Sequence, residues 1–218
     1  MVAIYLDAAN MDDLRRYAAD PRIAGLTTNP SLMKKAGITD YRSFARAVLA
    51  AAGDKPVSFE VLADGFREME RQAREIASWG PNVYVKLPIT NTRGESIVPL
   101  LDALGDLNLN ITAVMTEGQI DDLVQFLKPH HIVSKFCGRI MDTGRLPMRG
   151  YWEAGSYRML WASAREVYHV TLAEEYGYDI ITLTPPLIEK LSLKGRDLQE
   201  YSLQTVREFV EDGKCLQF

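Results

Sequence analysis

The stretch Val83-Tyr84-Val85-Lys86-Leu87-Pro88 puts a cation at the end of an apolar run about as long as a buried strand. Lysine is seldom fully buried. The run upstream, Val57-Ser58-Phe59-Glu60-Val61-Leu62, carries an acid in the same setting. Six more runs of this kind surround them: Val2–Leu6, Ile23–Thr27, Leu109–Val114, Ile132–Phe136, Met159–Ala162 and Ile180–Leu183. Each is rich in Val, Ile, Leu, Tyr or Phe and has strand length. Between most of them lie segments with helical apolar spacing: 12–19, 41–52, 65–79, 95–104, 117–127 and 165–176. Asp40, Thr116 and Ser163 stand where N-caps belong. Eight strands separated by crossovers predict parallel βα units, closed into a (β/α)8 TIM barrel; an open doubly wound sheet is the rival.

The chain has 218 residues, slightly below the ~250 usual for this fold. Apolar residues make up 47% of it, enough for a sizeable core. No linker or low-complexity tract interrupts it, so residues 1–218 read as one domain. The stretch 142–155 holds Gly144, Pro147, Gly150 and Gly155, which shortens the sixth helix region to a loop or short helix. After the eighth strand, 188–193 covers the barrel and a helical arm at about 196–212 runs beyond it. Tyr201, Val206, Phe209 and Val210 in this arm are available for burial, on its own barrel or on a neighbouring subunit.

A net charge of −4, from 25 basic and 29 acidic residues, disfavours a nucleic-acid or general membrane-surface role. No run approaches the ~18 apolar residues of a membrane span. The opening Met-Val-Ala-Ile-Tyr-Leu-Asp lacks a signal peptide's basic start and its length. Two cysteines make no disulfide framework. A cytoplasmic enzyme is the expectation. The three histidines show no ligand spacing and no Gly-rich nucleotide fingerprint is present, so neither metal nor cofactor is expected.

In a βα barrel the strand C-termini face the active site. Those ends carry Asp7, Thr27-Thr28-Asn29, Glu60, Lys86, Asn110 and Thr112, Ser134 with Arg139, Ser163 with Arg165, and Thr182 with Thr184. Singly, most have a structural explanation as caps, turn residues or solvated charges. Together they define a chemistry. A lysine held in an apolar strand end loses hydration, its pKa falls, and the neutral amine can attack a ketone to give an imine. The imine makes cleavage of the next carbon–carbon bond feasible. Asp7 is the candidate base for the substrate hydroxyl. Glu60 and Thr112, through a water, can relay the protons of imine formation. Asn29 and Asn110 can bond substrate hydroxyls without titrating, and Thr28 belongs to the same set. Ser134, Arg139, Ser163 and Arg165 form a candidate phosphate site, with a helix N-terminus expected after Ser163.

These motifs, in this order, resemble the transaldolase family, in its short branch with fructose-6-phosphate aldolase. The resemblance rests on Leu6-Asp7, Gly25-Leu26-Thr27-Thr28-Asn29-Pro30-Ser31, Val57–Leu62, Val85-Lys86-Leu87-Pro88, Gly138-Arg139-Ile140 and Ala162-Ser163-Ala164-Arg165. It implies a Schiff base on Lys86 without cofactor, sugar-phosphate substrates, and a homo-oligomer, pentameric or decameric, held partly by the C-terminal helix. Glu60, Asn110-Ile111-Thr112 and Ser134-Lys135-Phe136 with Arg139 are similar to the transaldolases; the aldolase shows Gln, Gly-Thr and Tyr there. Phe136 in place of a phenol removes a proton donor near the imine, which favours transfer of a dihydroxyacetone unit to an aldose phosphate. Net aldol cleavage with free dihydroxyacetone is the alternative, and a catalytically silent sugar-phosphate-binding barrel the third reading. Ala8-Ala9, Lys135 and Ala164 depart from the family pattern.

Overall fold

In a computed structural model describing residues 1–147 and 155–216, eight parallel strands close into a barrel in chain order. They are β1 (Ala3–Asp7), β2 (Ile23–Thr27), β3 (Val57–Glu60), β4 (Val83–Pro88), β5 (Leu109–Val114), β6 (Ile132–Lys135), β7 (Arg158–Trp161) and β8 (Ile180–Leu183). The open-sheet alternative falls on the pairing of β1 with β8, where Ala3 faces Ile180 and Leu6 faces Leu183.

The connecting helices are α1 (Met11–Ala18), α2 (Pro30–Lys35), α3 (Tyr41–Ala52), α4 (Phe66–Ala77), α5 (Val98–Leu104), α6 (Glu117–Leu123), α7 (Cys137–Asp142), α8 (Tyr168–Glu175) and α9 (Pro185–Lys190), with α10 (Leu198–Gly213) beyond the barrel. Asp40 caps α3 by accepting from the Ser43 amide, and Thr116 forms a reciprocal capping box with Gln119 on α6. Both follow the spacing read in the sequence.

Ser163 does not cap a helix. Its φ is 62°, whereas an N-cap needs extended backbone, and α8 starts only at Tyr168. Helix α2 is the converse case: Asn29 accepts from the Leu32 amide at 2.9 Å and Pro30 occupies the first turn, so Thr-Asn-Pro-Ser opens a helix as well as turning the chain. Helix α5 starts three residues later than its apolar spacing suggests, because Thr90 and Ser96 pair across the preceding loop. The helix after β6, α7, has only 6 residues, in keeping with a shortened sixth unit; residues 148–154 of that unit lie outside the described residues.

Most of the core lies between the strands and the outer helices, where Leu14, Val48, Ala73, Leu104, Leu123 and Ala173 meet the outward faces of the strands. A smaller cluster fills the barrel itself: Tyr5, Ile132, Leu160, Ala162 and Ile180. Gly25 pairs with Tyr5 in the β1–β2 register, and a Cβ there would stand 2.5 Å from the Tyr5 ring. The ring is buried, so only glycine leaves room for this interior layer. Helix α10 has no buried residue; Phe209 is 70% and Val210 63% exposed. Packing on its own barrel, one of the two expectations for this arm, is thereby excluded.

His131 is buried just ahead of β6, and its Nδ1 accepts from the Lys128 amide at 3.1 Å. Burial, with His130 and Lys128 adding, lowers its pKa to about 4. The folded chain thus keeps His131 neutral at pH values where the unfolded chain, near 6.5, takes up a proton. The stabilisation is full above pH 6.5 and is lost as pH falls toward 4, by about 2–3 kcal/mol. Urea melts between pH 7.5 and 4.5 should show this loss, and His131→Gln should flatten that part of the profile.

Candidate active site

Parallel pairing aligns Glu60 of β3 with Lys86 of β4, and Lys86 with Asn110 of β5. Side chains alternate along a strand, so these three share one inward layer. Lys86 Nζ lies 3.2 Å from Glu60 Oε2 and donates to the Thr28 carbonyl at 3.0 Å. Lys86 is 6% exposed. Above this layer opens a cavity of about 330 Å3, lined by Asp7, Asn29, Glu60, Lys86, Thr112, Ser134, Phe136, Arg139 and Ser163 among others. Nine of the residues singled out in the sequence therefore meet in one chamber at the strand C-termini.

Three do not reach its wall. Thr28 directly follows Thr27, the last residue of β2, and points the other way; its hydroxyl donates to the Ser58 carbonyl, and only its own carbonyl serves Lys86. Asn110 is fully buried beneath the cavity. Its amide donates to Ser58 Oγ at 3.1 Å and its carbonyl accepts from Ser134 Oγ at 2.6 Å, so it holds Ser134 in place. Arg165 turns outward to Asp142, at 2.7 Å, with both side chains about half exposed. The expected pair of guanidinium groups is thus reduced to Arg139, whose guanidinium lies 5.0 Å above the Phe136 ring.

Asp7 accepts from Thr27 Oγ1 at 3.0 Å and, at the limit of a hydrogen bond, from Asn29 at 3.4 Å. Burial raises its pKa, Lys86 and these two donors lower it, and the net shift is upward. Thr112 Oγ1 is buried and has no partner among the described residues, which leaves its hydroxyl free for a ligand or water in the chamber.

Two wall residues adopt left-handed backbone without being glycine: Ala113 and Ser163, each at φ 62°. That costs about 1–2 kcal/mol each. The Ser163 carbonyl packs on Gly138, where a Cβ would stand 1.6 Å from the oxygen. Only glycine permits the β6–α7 turn to approach β7 so closely. The cavity is completed by Thr27, Pro30, Ser31, Ala113, Leu160, Ala162 and Thr182, to which the sequence reading assigned no role. Thr27 and Thr182 were visible there as strand-end hydroxyls, and inward alternation was the signal that could have placed them.

Fold and site together define a (β/α)8 barrel protein with a lysine–carboxylate chamber at the strand C-termini. The model of the Transaldolase/Fructose-6-phosphate aldolase family matches residues 4–218, and the chain belongs to that family. A "Probable transaldolase" of Dehalococcoides mccartyi is 36% identical over 188 residues, 83% of this chain and 85% of the relative. A "Probable transaldolase" of Desulforudis audaxviator is 32% identical over 219 aligned positions, 96% of each chain. Among solved structures, the crystal structure of dihydrodipicolinate synthase from Rhodopseudomonas palustris superposes with a TM-score of 0.52 at 16% identity, covering 84% of this chain and 70% of that one. That likeness is one of fold alone. No helix among the described residues is long and apolar enough to cross a membrane.

If Asp7 is the base, its raised pKa sets the acid limit of activity. The ionised form is lost as pH falls through a value above the ordinary carboxylate range. The acid limb of kcat/KM should therefore lie above the ordinary carboxylate range, and Asp7→Asn should remove turnover while leaving the fold intact by circular dichroism.

Proposed function

We propose that this chain is a transaldolase acting through a Schiff base on Lys86, moving a dihydroxyacetone unit from a ketose phosphate to an aldose phosphate. The observation that carries this reading is the pairing of buried Lys86 with partly buried Glu60, 3.2 Å apart at the floor of a chamber whose wall includes Asp7 and Thr112. An amine attacks only when neutral, and the Glu60 carboxylate is the nearest acceptor for its proton. Lys86 Nζ adds to the ketone carbon, giving a carbinolamine. Glu60, now protonated, returns the proton to the departing hydroxyl with the Thr112 hydroxyl assisting, water leaves, and the iminium forms. Asp7 takes the proton of the hydroxyl carried by the far carbon of the bond to be broken. That carbon becomes an aldehyde, and the bonding electrons pass into the iminium to give an enamine. An acceptor aldehyde enters, the enamine carbon attacks it, and Asp7 returns its proton to the new hydroxyl. Water then releases the product ketose from Lys86.

One feature supports transfer over net cleavage. Phe136 lines the chamber where a phenol would offer the enamine a proton, and its face is occupied by Arg139. Arg139, with Ser163, also supplies the donors for one terminal phosphate. We further propose a homo-oligomer in which the apolar residues of α10, Leu203, Val206, Phe209 and Val210, are covered by a second copy. Burying a side chain of this size contributes about 1.5–3 kcal/mol relative to leaving it in water.

Borohydride reduction of the protein with fructose 6-phosphate should add the mass of the bound fragment at Lys86. A missing adduct there would falsify the mechanism. Glyceraldehyde 3-phosphate should appear only when an acceptor aldose phosphate is supplied; its steady release without one would make the chain an aldolase instead. Removal of residues 198–218 should lower the molar mass measured by light scattering to that of a monomer, and an unchanged mass would place the interface elsewhere.

A further inference from the structure

Thr182 on β8 has no part in the chemistry described so far. It is 6% exposed, lines the chamber, and its Oγ1 lies 2.6 Å from Oγ1 of Thr27 on β2. The two strands flank β1, which carries Asp7. Thr27 has one proton and three acceptors in reach: Asp7 Oδ1 at 3.0 Å, the Leu6 carbonyl at 3.3 Å and Thr182 Oγ1. A carboxylate oxygen is the strongest of these acceptors. Thr27 therefore donates to Asp7, and the bond between the two hydroxyls is donated by Thr182.

We propose that Thr182 is a positioning residue for the Asp7 base: its donation into Thr27 strengthens the bond from Thr27 to Asp7 Oδ1 and leaves Oδ2 as the oxygen that takes the substrate proton. Donation into Thr27 polarises its O–H and strengthens the bond it makes to Asp7. Without Thr182, the Thr27 hydroxyl still has Asp7 as its strongest acceptor, but the bond loses that polarisation. The remaining groups acting on Asp7 stay in place: Lys86 from β4 and Glu60 from β3 as charges, and Asn29 from the end of β2 as a weak donor. This inference rests on Asp7 being the base of the proposed reaction, but its first test does not require turnover.

The test is a 13C titration of the Asp7 carboxyl in the full-length protein, comparing wild type with Thr182→Val, which keeps the shape and removes the hydroxyl, and Thr182→Ser, which keeps the hydroxyl. The Asp7 midpoint should rise by about half a pH unit in Thr182→Val, the effect of weakening one hydrogen bond to the charged form, and stay at the wild-type value in Thr182→Ser. The acid limb of kcat/KM should move the same way, with about a three- to tenfold loss of kcat at its plateau and little change in KM. Borohydride trapping at Lys86 should proceed as in wild type, since imine formation does not use Asp7. An unmoved midpoint in Thr182→Val, or an equal shift in Thr182→Ser, overturns the proposal. Should Thr182→Val not fold, Thr182→Ala answers the same question. If wild type itself gives no adduct at Lys86, the Schiff-base reading fails while the Asp7 titration still decides the role of Thr182.

Discussion

A buried ammonium and a partly buried carboxylate 3.2 Å apart inside a closed barrel constrain everything around them. Each ion loses several kcal/mol of hydration on burial, and their mutual attraction offsets that only when further hydrogen bonds satisfy what remains. Here the compensation comes from the fold itself. Pairing β3 with β4 places Glu60 level with Lys86, and the end of β2 offers the Thr28 carbonyl to the same ammonium. Below, Tyr5, Ile132, Leu160 and Ile180 fill the barrel and keep water from entering beneath the pair. Above, the chamber opens, so Lys86 is approached from one side only. A well-packed apolar pair would serve stability at least as well. The arrangement makes sense as a reactive amine kept beside its proton acceptor.

Around the charged pair lies a ring of neutral polar groups that fixes direction without adding charge. Thr182 and Thr27 bracket Asp7 on one side. Ser58, Asn110 and Ser134 span β3, β5 and β6 on the other. Fully bonded networks of this kind are rigid in a low dielectric, and an unmet group in them is costly. Thr112 is the exception in this ring, and it faces the chamber. The left-handed backbone of Ala113 and Ser163 belongs to the same economy, since strain concentrates where the wall must be shaped.

Much of this was legible in the sequence because strand and barrel geometry translate periodicity into position. Apolar runs of strand length located all eight strands, and the ends of those runs held Asp7, Glu60, Lys86 and Thr112. What could not be read depends on depth, direction and distant partners. Thr27 and Thr28 are chemically alike, and only the phase of the strand decides which hydroxyl faces inward. Asn110 and Thr112 both point into the barrel, but one turn of the alternation separates a residue beneath the floor from one on the wall. Arg165 is held by Asp142, 23 residues away, a pairing with no local signature. Ser163 has a cap's chemistry but a backbone that the close approach of Gly138 dictates.

The charge inventory of the chamber carries the argument one step further. Asp7 and Glu60 are set against Lys86 and Arg139. Lys86 belongs to Glu60 by contact, and it also draws on Asp7 through space. Arg139 contacts no carboxylate among the described residues, although Asp142 feels its charge: its guanidinium rests on the Phe136 ring, which orients it without neutralising it. With Arg165 tied to Asp142, one exposed guanidinium is left to meet an anionic group at the wall. In the proposed reaction Phe136 would serve both ends. As a ring without a hydroxyl it would give an enamine no proton, and as an aromatic face it presents a cation toward which a phosphate would be drawn. In that reaction a phenol introduced there would alter the fate of the intermediate and the seat of Arg139 together, so the choice between transfer and hydrolysis would be coupled to the choice of acceptor.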